Sequence, residues 1–404
     1  MHDEKILFIG SWNWGMNHRA KHIATYLEKR FRNVDLVGFV RFSGPANTSR
    51  WDKARKGISN LWHRGITITK RDSVREIIIR DLAAPQILHP LIDDLWRYFL
   101  LQRVITPPYD VALFDKPDNA LLAWLLRRTG KVKRLIYDDH DYHPGKENNR
   151  FNEFVIEKRE QFCARHADGV ISANTLLAGR RKQQGARHVV VIPNGVDLSI
   201  FTSARQKRPH PPTLIYMGRL SLMWGLALAV KAMPKLLQVI PDVRLLIAGD
   251  GPAEATLRAL SQELGVTENI TFLGRLAYQA LPAALAQADI GIVIAQPDNE
   301  FRRYATPLKL VEYMAAGLPV IASRVGQTEV MMQQAKAGVL IDHSVDEFVA
   351  ASIDLLTNEA LYERNSKAAI AYAAGFDWNS LMEQAYQYVL DNIASNQVPG
   401  SPLQ

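Results

Sequence analysis

The chain has 404 residues, 47% of them hydrophobic and 22% charged, the profile of a folded globular protein long enough for two domains. One cysteine, Cys163, excludes an intrachain disulfide; no apolar run reaches the roughly eighteen residues of a membrane span, and the opening MHDEKILFIG lacks a cleavable-leader pattern. The net charge of +8 is uneven, with 33 Lys and Arg against 22 Asp and Glu in residues 1–200 and 16 against 19 thereafter, so the first half calls for an anionic partner: nucleic acid, anionic lipid or a phosphorylated substrate.

In chain order, KILFIG (Lys5–Gly10) reads as a buried strand, followed by a loop rich in Gly and Trp and a helix through AKHIATYLEKRF. Strand–loop–helix units recur at VDLVGFV, VALFDK, RLIYDD, GVISA and VVVIPNG. Short apolar runs alternating with helical periodicity predict a parallel sheet. The charged, Pro-rich stretch 202–212 predicts a linker. The alternation restarts at TLIYMGRL, VRLLIAGDG, ITFLGRL, IGIVIA, PVIAS and GVLID. The tail FDWNSLMEQAYQYVLDNIA predicts an amphipathic helix before a disordered end. The expectation is α/β: two doubly wound, Rossmann-like domains facing a cleft, with ligands at the carboxyl ends of the strands. The predicted domains are 1–201, with helix 378–395 packing back on it, and 213–377.

YATPLKLVEYMAAGLPVIAS (Tyr304–Ser323) is the most informative stretch. Thr306-Pro307 favours a helix start, and Lys309 and Glu312 share one face. A helix N-terminus opening into a cleft suits phosphate, with Lys309 adding charge and Glu312 accepting from sugar hydroxyls. An ordinary exposed Lys–Glu pair is the alternative. YDDHDYH (Tyr137–His143), at a strand's carboxyl end, packs three carboxylates and two imidazoles together. Alone it fits a metal site, an acid–base pair or a solvated polar loop. In the first loop, Gly15 permits close approach of a ligand, Trp12 and Trp14 offer faces to a sugar ring, and Arg19 offers a charge to an acceptor phosphate; the tryptophans serve equally to pack the loop. Trp51, Ala54, Ile58, Leu61 and Trp62 form a helical stripe flanked by Arg50, Lys53, Arg55, Lys56 and Arg64, which suits either an anionic membrane surface or packing within its own domain.

PNGVD (Pro193–Asp197), GRL (Gly218–Leu220), IAGDGP, FLGRL (Phe272–Leu276) and Tyr304–Ser323 occur in an order and spacing that resemble the retaining nucleotide-sugar glycosyltransferases of the GT-B fold, in the family 4 class. The resemblance covers nearly the whole chain and is strongest from Pro193 to Ser323. It implies that Arg219 and Lys309 bind the donor diphosphate, that Glu312 holds the ribose, that Gly274 and Arg275 lie beside the base, and that Tyr304, Thr306 and Pro307 border the donor. His140-Asp141 match the family's His-Asp, which implies that His140 lies near the donor sugar. GDG is read as a tight turn. Two positions depart from the family: Tyr304 stands where the first glutamate of the pair is usual, and Trp224 where a lysine is usual. Glu300 and Arg303 are candidates to compensate.

These readings predict a metal-independent transferase that needs no cofactor beyond its co-substrate. Its expected partners are a nucleoside-diphosphate sugar, a glycan or polyprenyl-diphosphate-linked acceptor, and an anionic membrane surface. Nucleic acid is not expected, since no reading helix or zinc module is recognisable. The expected location is cytoplasmic, peripheral on the inner membrane face, and the expected role is cell-surface polysaccharide or glycoconjugate synthesis. The alternative is a catalytically silent scaffold of the same fold that binds nucleotide or glycan as a partner subunit.

Overall fold

The structure is a computed structural model; it describes residues 2–11, 18–40, 65–81, 89–144, 150–201, 210–221, 224–296 and 300–394. It divides into two compact units, 1–192 with 382–404, and 193–381.

In the first unit the described strands are β1 (His2–Ser11), β2 (Phe31–Val40), β3 (Ile66–Arg71), β4 (Val74–Arg80), β5 (Tyr109–Phe114), β6 (Val132–Asp139), β7 (Gly169–Ser172) and β8 (Val189–Val191). They form one sheet in the order β3-β4-β2-β1-β5-β6-β7-β8. All pairings are parallel except β3 with β4. Ile6, Leu7, Phe8 and Ile9 are all buried, as expected where both faces of a parallel strand are covered. The β3–β4 hairpin was not among the expected strands. β3 is mostly exposed, with Ile66 alone packed against the core, and Lys70 and Arg71 leave the sheet edge charged. Part of the unit's positive charge gathers at the amino ends of β6 to β8. There Arg127, Arg128, Arg134, Arg165 and Arg187 line a cavity of about 440 Å³.

In the second unit, β9 (Thr213–Met217), β10 (Arg244–Ala248), β11 (Ile270–Gly274), β12 (Ile290–Val293), β13 (Val320–Ser323) and β14 (Gly338–Ile341) make a parallel sheet. Its order is β11-β10-β9-β12-β13-β14. Alternation along the strands feeds two cores. Leu214, Tyr216, Leu245, Ile247, Ile290, Ile292 and Ile321 face one side; Ile215, Met217, Leu246, Ala248, Val293, Val320 and Ala322 face the other. Each side is roofed by helices, and each large side chain buried in this way contributes about 1.5–3 kcal/mol. Chain order reverses between β9 and β12, and ligands of such sheets bind at the carboxyl ends beside that switch.

The division falls earlier than the expected boundary at residue 201. PNGVD and the short helix after it belong to the second unit because Val196 and Phe201 are buried in its core and the Val196 amide donates to Phe376 O at 2.8 Å. The C-terminal helix Trp378–Ala394 is shared. Trp378 lies against Gly195, whereas Tyr386 packs edge-on to Phe31 and Tyr26 and Tyr388 Oη donates to His188 O. The 202–209 part of the expected linker, the aromatic–basic stripe 51–64 and the end of the tail from 395 lie outside the described residues.

Candidate active site

The second unit gathers its candidate residues at the carboxyl ends of β9, β10 and β11 and on the helix before β13. Three loops are stitched there backbone to backbone. The Gly218 amide donates to Ala248 O, the Leu220 amide to Asp250 O at 2.7 Å, and the Gly249 amide to Gly274 O at 2.7 Å. Gly249 has φ +151°, and a Cβ there would meet Gly218 O at 1.9 Å. GDG is therefore a place where two backbones touch, which only glycine allows. This stitching sets the GDG turn between Gly218–Leu220 on one side and Gly274 on the other. Arg219 is exposed, and its carbonyl accepts from Tyr216 Oη at 3.1 Å.

Lys309 and Glu312 stand on the helix Leu308–Ala315, whose N-cap is Pro307. Thr306 and Pro307 are half-buried at its start, as is Tyr304 at the end of the helix Glu300–Tyr304. The Leu308–Ala315 helix is pinned to the sheet by Tyr313. Its ring fills the space that Gly291 of β12 leaves, and its hydroxyl accepts from the Met217 amide at 2.7 Å. Lys309 Nζ is thereby delivered under Gly218, 3.2 Å from where a Cβ would stand. It lies 3.9 Å from the Tyr216 ring centroid and 4.9 Å from that of Trp224. Glu312 is 9% exposed, so the two are not the solvated surface pair that their spacing also permits. Burial pushes the Lys309 ammonium down to about 7, helped by the nearby Arg302 charge and opposed by Glu312. Burial pushes the Glu312 carboxyl up to about 7, against the pull of Lys309. Two buried groups disfavoured in their charged forms, at the carboxyl ends of the strands, make this a candidate functional site.

Sequence reasoning missed Arg302. It named Glu300 and Arg303 as compensators for the departures at Tyr304 and Trp224, yet both are exposed; Arg302, 4% exposed, is the side chain over the Trp224 ring. In a five-residue helix no periodicity identifies the inward side chain.

The first unit resolves YDDHDYH residue by residue. Tyr137 is buried and stacks on Phe114. Asp138 accepts from Arg19 Nη2 at 2.7 Å, and Arg19 Nη1 donates to Ile192 O at 3.0 Å. Asp139 accepts a fork from Arg181 at 2.8 and 2.9 Å, and Arg181 Nη1 also reaches Glu160 at 2.6 Å. Glu160 in turn accepts from the His143 amide at 3.2 Å. Two expectations are corrected here. Arg19 is buried and engaged by Asp138, so it does not offer its charge to an acceptor. Asp138 and Asp139 are buried anchors rather than solvated loop residues. Burial opposes the charge of Glu160, but His143 and Arg181 together hold its carboxyl below the usual range. His140 stands past the end of β6, half-buried, with a buried Nδ1 that takes no hydrogen bond among the described residues. Asp141 accepts from the Tyr142 amide. Among the described residues no group of three or more His, Cys, Asp and Glu is arranged to hold a metal. Trp12, Trp14 and Gly15 lie outside the described residues.

Residues 201–372 match the family described as "Glycosyl transferases group 1". The phosphatidyl-myo-inositol mannosyltransferase of Mycobacterium tuberculosis is 32% identical over 242 residues, covering 57% of this chain and 62% of that protein. The chain thus spans somewhat under two thirds of that relative's length. Among solved structures, sucrose-phosphate synthase from Thermosynechococcus elongatus superposes with a TM-score of 0.71 at 19% identity, over 97% of this chain and 100% of that one. HepE from Anabaena, solved in complex with UDP, gives 0.70 at 18% identity over 96% and 100%.

Proposed function

We propose that this chain, which has the GT-B fold and carries a group 1 glycosyl transferase domain in residues 201–372, moves a sugar from a nucleoside diphosphate to a glycan or lipid-linked acceptor with retention at the anomeric carbon. The observation that carries the reading is the Lys309 ammonium held under Gly218–Arg219, with Glu312 one turn deeper. Fixed cations there stabilise the charge that grows on the departing diphosphate. The sugar carbon gains oxocarbenium character, the acceptor hydroxyl attacks on the face the diphosphate leaves, and its proton passes to a phosphate oxygen. Glu312 holds the ribose, Gly274 and Arg275 border the base, Tyr304, Thr306 and Pro307 border the donor, and His140 serves the transferred sugar. No metal or enzyme nucleophile is required.

The relative's name supports a lipid-linked acceptor. So do exposed Leu95, Phe99, Phe151 and Phe154 on the first unit, two of them under cations: Arg103 over Phe99 and Lys158 over Phe154. Aromatic groups beside basic ones suit an anionic membrane surface, and no helix among the described residues is long and apolar enough to cross a bilayer. The test is a thermal-shift screen against UDP, GDP and ADP, with transfer assays using the matching sugars and lipid acceptors in anionic vesicles. Turnover supports the reading. Nucleotide binding without turnover favours a silent scaffold, and a protein that neither binds nor turns over overturns both.

Affinity for the nucleoside diphosphate should depend on pH through Lys309. Its ammonium titrates near 7 in the empty site, and the bound diphosphate raises that value. Binding is therefore strongest near pH 7, where the ammonium is charged and the ligand's terminal phosphate still carries the second negative charge that it loses at about pH 6. Above about pH 7, affinity falls by up to about tenfold per pH unit as each binding event must take up a proton. Calorimetric titration between about pH 6 and 9 measures this, and Lys309→Arg should flatten the profile because arginine stays charged. A wild-type affinity that does not change with pH contradicts the assignment.

A further inference from the structure

Arg302 occupies a position that neither the expected cations nor the family match assigns. It enters the site from the β12 side of the chain reversal, on the helix Glu300–Tyr304. Trp224 enters from the β9 side, in the segment after Gly218–Leu220. The two meet with the guanidinium carbon over the indole ring. The same indole lies 4.9 Å from Lys309 Nζ, so one aromatic ring borders two cations. The short helix is fixed in place: its backbone at Arg303 fills the space where a Cβ on Gly326 would stand, 2.2 Å from Arg303 O.

This arrangement costs the empty protein. Arg302 is 4% exposed, and its charge is among the causes that make the Lys309 ammonium harder to hold. Burial likewise works against the charge of Arg302 itself. Two cations bordering one ring, at the strand ends where chain order reverses, suit an anion with more than one charged oxygen centre. A planar guanidinium stacks on indole and still offers a fork of donors at its edge, which an ammonium does not. A ligand with two phosphoryl groups engages Lys309 and Arg302 together; a ligand with one engages one of them fully.

We propose that Arg302, positioned on Trp224, is a third cation of the donor site beside Arg219 and Lys309, and that it makes the site selective for a nucleoside diphosphate over a monophosphate. This rests on the nucleotide-sugar reading above. Arg302 contacts the diphosphate; Trp224 is a positioning residue that acts through it. Tryptophan at 224 then marks a rebuilt cation site, in which the positive charge arrives from a separate stretch of the chain.

The test is isothermal titration of the full chain with UDP, GDP and ADP and their monophosphates. Arg302→Met keeps the length of the side chain and removes its charge. It should raise the Kd of the diphosphate by about tenfold or more, the usual weight of a charge-assisted contact, and that of the monophosphate by about threefold or less. Trp224→Leu should narrow the same ratio, and the double variant should lose less than the sum of the two. Arg302→Lys should recover part of the ratio. Equal losses for diphosphate and monophosphate would reduce Arg302 to a structural support and overturn the proposal, as would no loss at all. Should Arg302→Met not fold, Arg302→Lys and Trp224→Leu carry the test, and an unchanged ratio in both overturns it. Wild-type protein that binds no diphosphate fells the functional reading first and this inference with it. Diphosphate binding with an unmoved ratio leaves that reading standing and sinks Arg302 alone.

Discussion

Lys309→Ala is expected to lower kcat and kcat/KM for the nucleotide sugar together, by about 10²–10³-fold, the range found when one preorganised donor to a developing anion is removed. In the proposed mechanism the side chain meets the diphosphate when the glycosidic bond is breaking and negative charge on the leaving group is greatest. The loss therefore belongs in kcat and not only in KM. Arg219→Ala should act in the same direction, and the double variant should fall short of the product of the two, since both serve one leaving group. The stability effect should have the opposite sign. The ammonium sits where burial and Arg302 oppose its charge, so Lys309→Ala should melt no lower than the wild type, as expected of a group kept for function. Steady-state transfer kinetics and a thermal melt on the same preparation decide both points. An unchanged kcat, or a large drop in melting temperature, would make Lys309 a structural residue.

Arg181→Met should do the reverse: little to nucleotide binding in the second unit, and heavy damage to the first. Arg181, Asp139 and Glu160 are all fully buried. Removing the guanidinium that both carboxylates share leaves Asp139 and Glu160 buried without it, with His143 still at Glu160, which costs about 3–5 kcal/mol. For a unit of this size that is a fall of roughly 6–20 °C in its melting temperature. The pH dependence has a definite sign. In the wild type Glu160 is held below its ordinary range, so its contribution is present at neutral pH and fades as pH falls through the folded value. Without Arg181 only His143 is left to oppose the burial penalty on Glu160, so that carboxyl rises from its wild-type value and the loss of stability in acid weakens. The gap between the two proteins should shrink from about pH 7 to pH 5. Replacing all three residues with apolar ones of similar volume should recover most of the loss. A gap that widens in acid would contradict the triad's role.

What the sequence made legible depends on how local each signal is. The strands of both sheets appear as apolar runs of a few residues because parallel strands are buried on both faces, and Ile6–Ile9 or Leu214–Met217 need no partner to be recognised. β3 was illegible because all its side chains but Ile66 are exposed, and its place in the sheet is set by pairing with β4. The Lys309–Glu312 helix was legible from Thr306-Pro307 and from three-residue spacing, both local. The fates of Asp138 and Asp139 were not. Their arginines lie 119 and 42 residues away, and a run of acids looks the same whether solvent or guanidinium receives it. Arg19 misled for the same reason. Arg302 and Arg303 are adjacent, and which of them turns inward depends on how the short helix seats, with its Arg303 backbone against Gly326.

The Met217 amide bonded to Tyr313, and the seat that Gly291 leaves for that ring, fix the Leu308–Ala315 helix to the sheet before any ligand arrives. A cradle built in advance loses little to reorganisation, so it grips the spent nucleotide nearly as firmly as the loaded one. On the proposed function, turnover is expected to be paced by escape of the by-product. A first cycle faster than later ones, seen as a pre-steady-state burst, is the signature, and accumulating nucleoside diphosphate becomes the molecule's own brake.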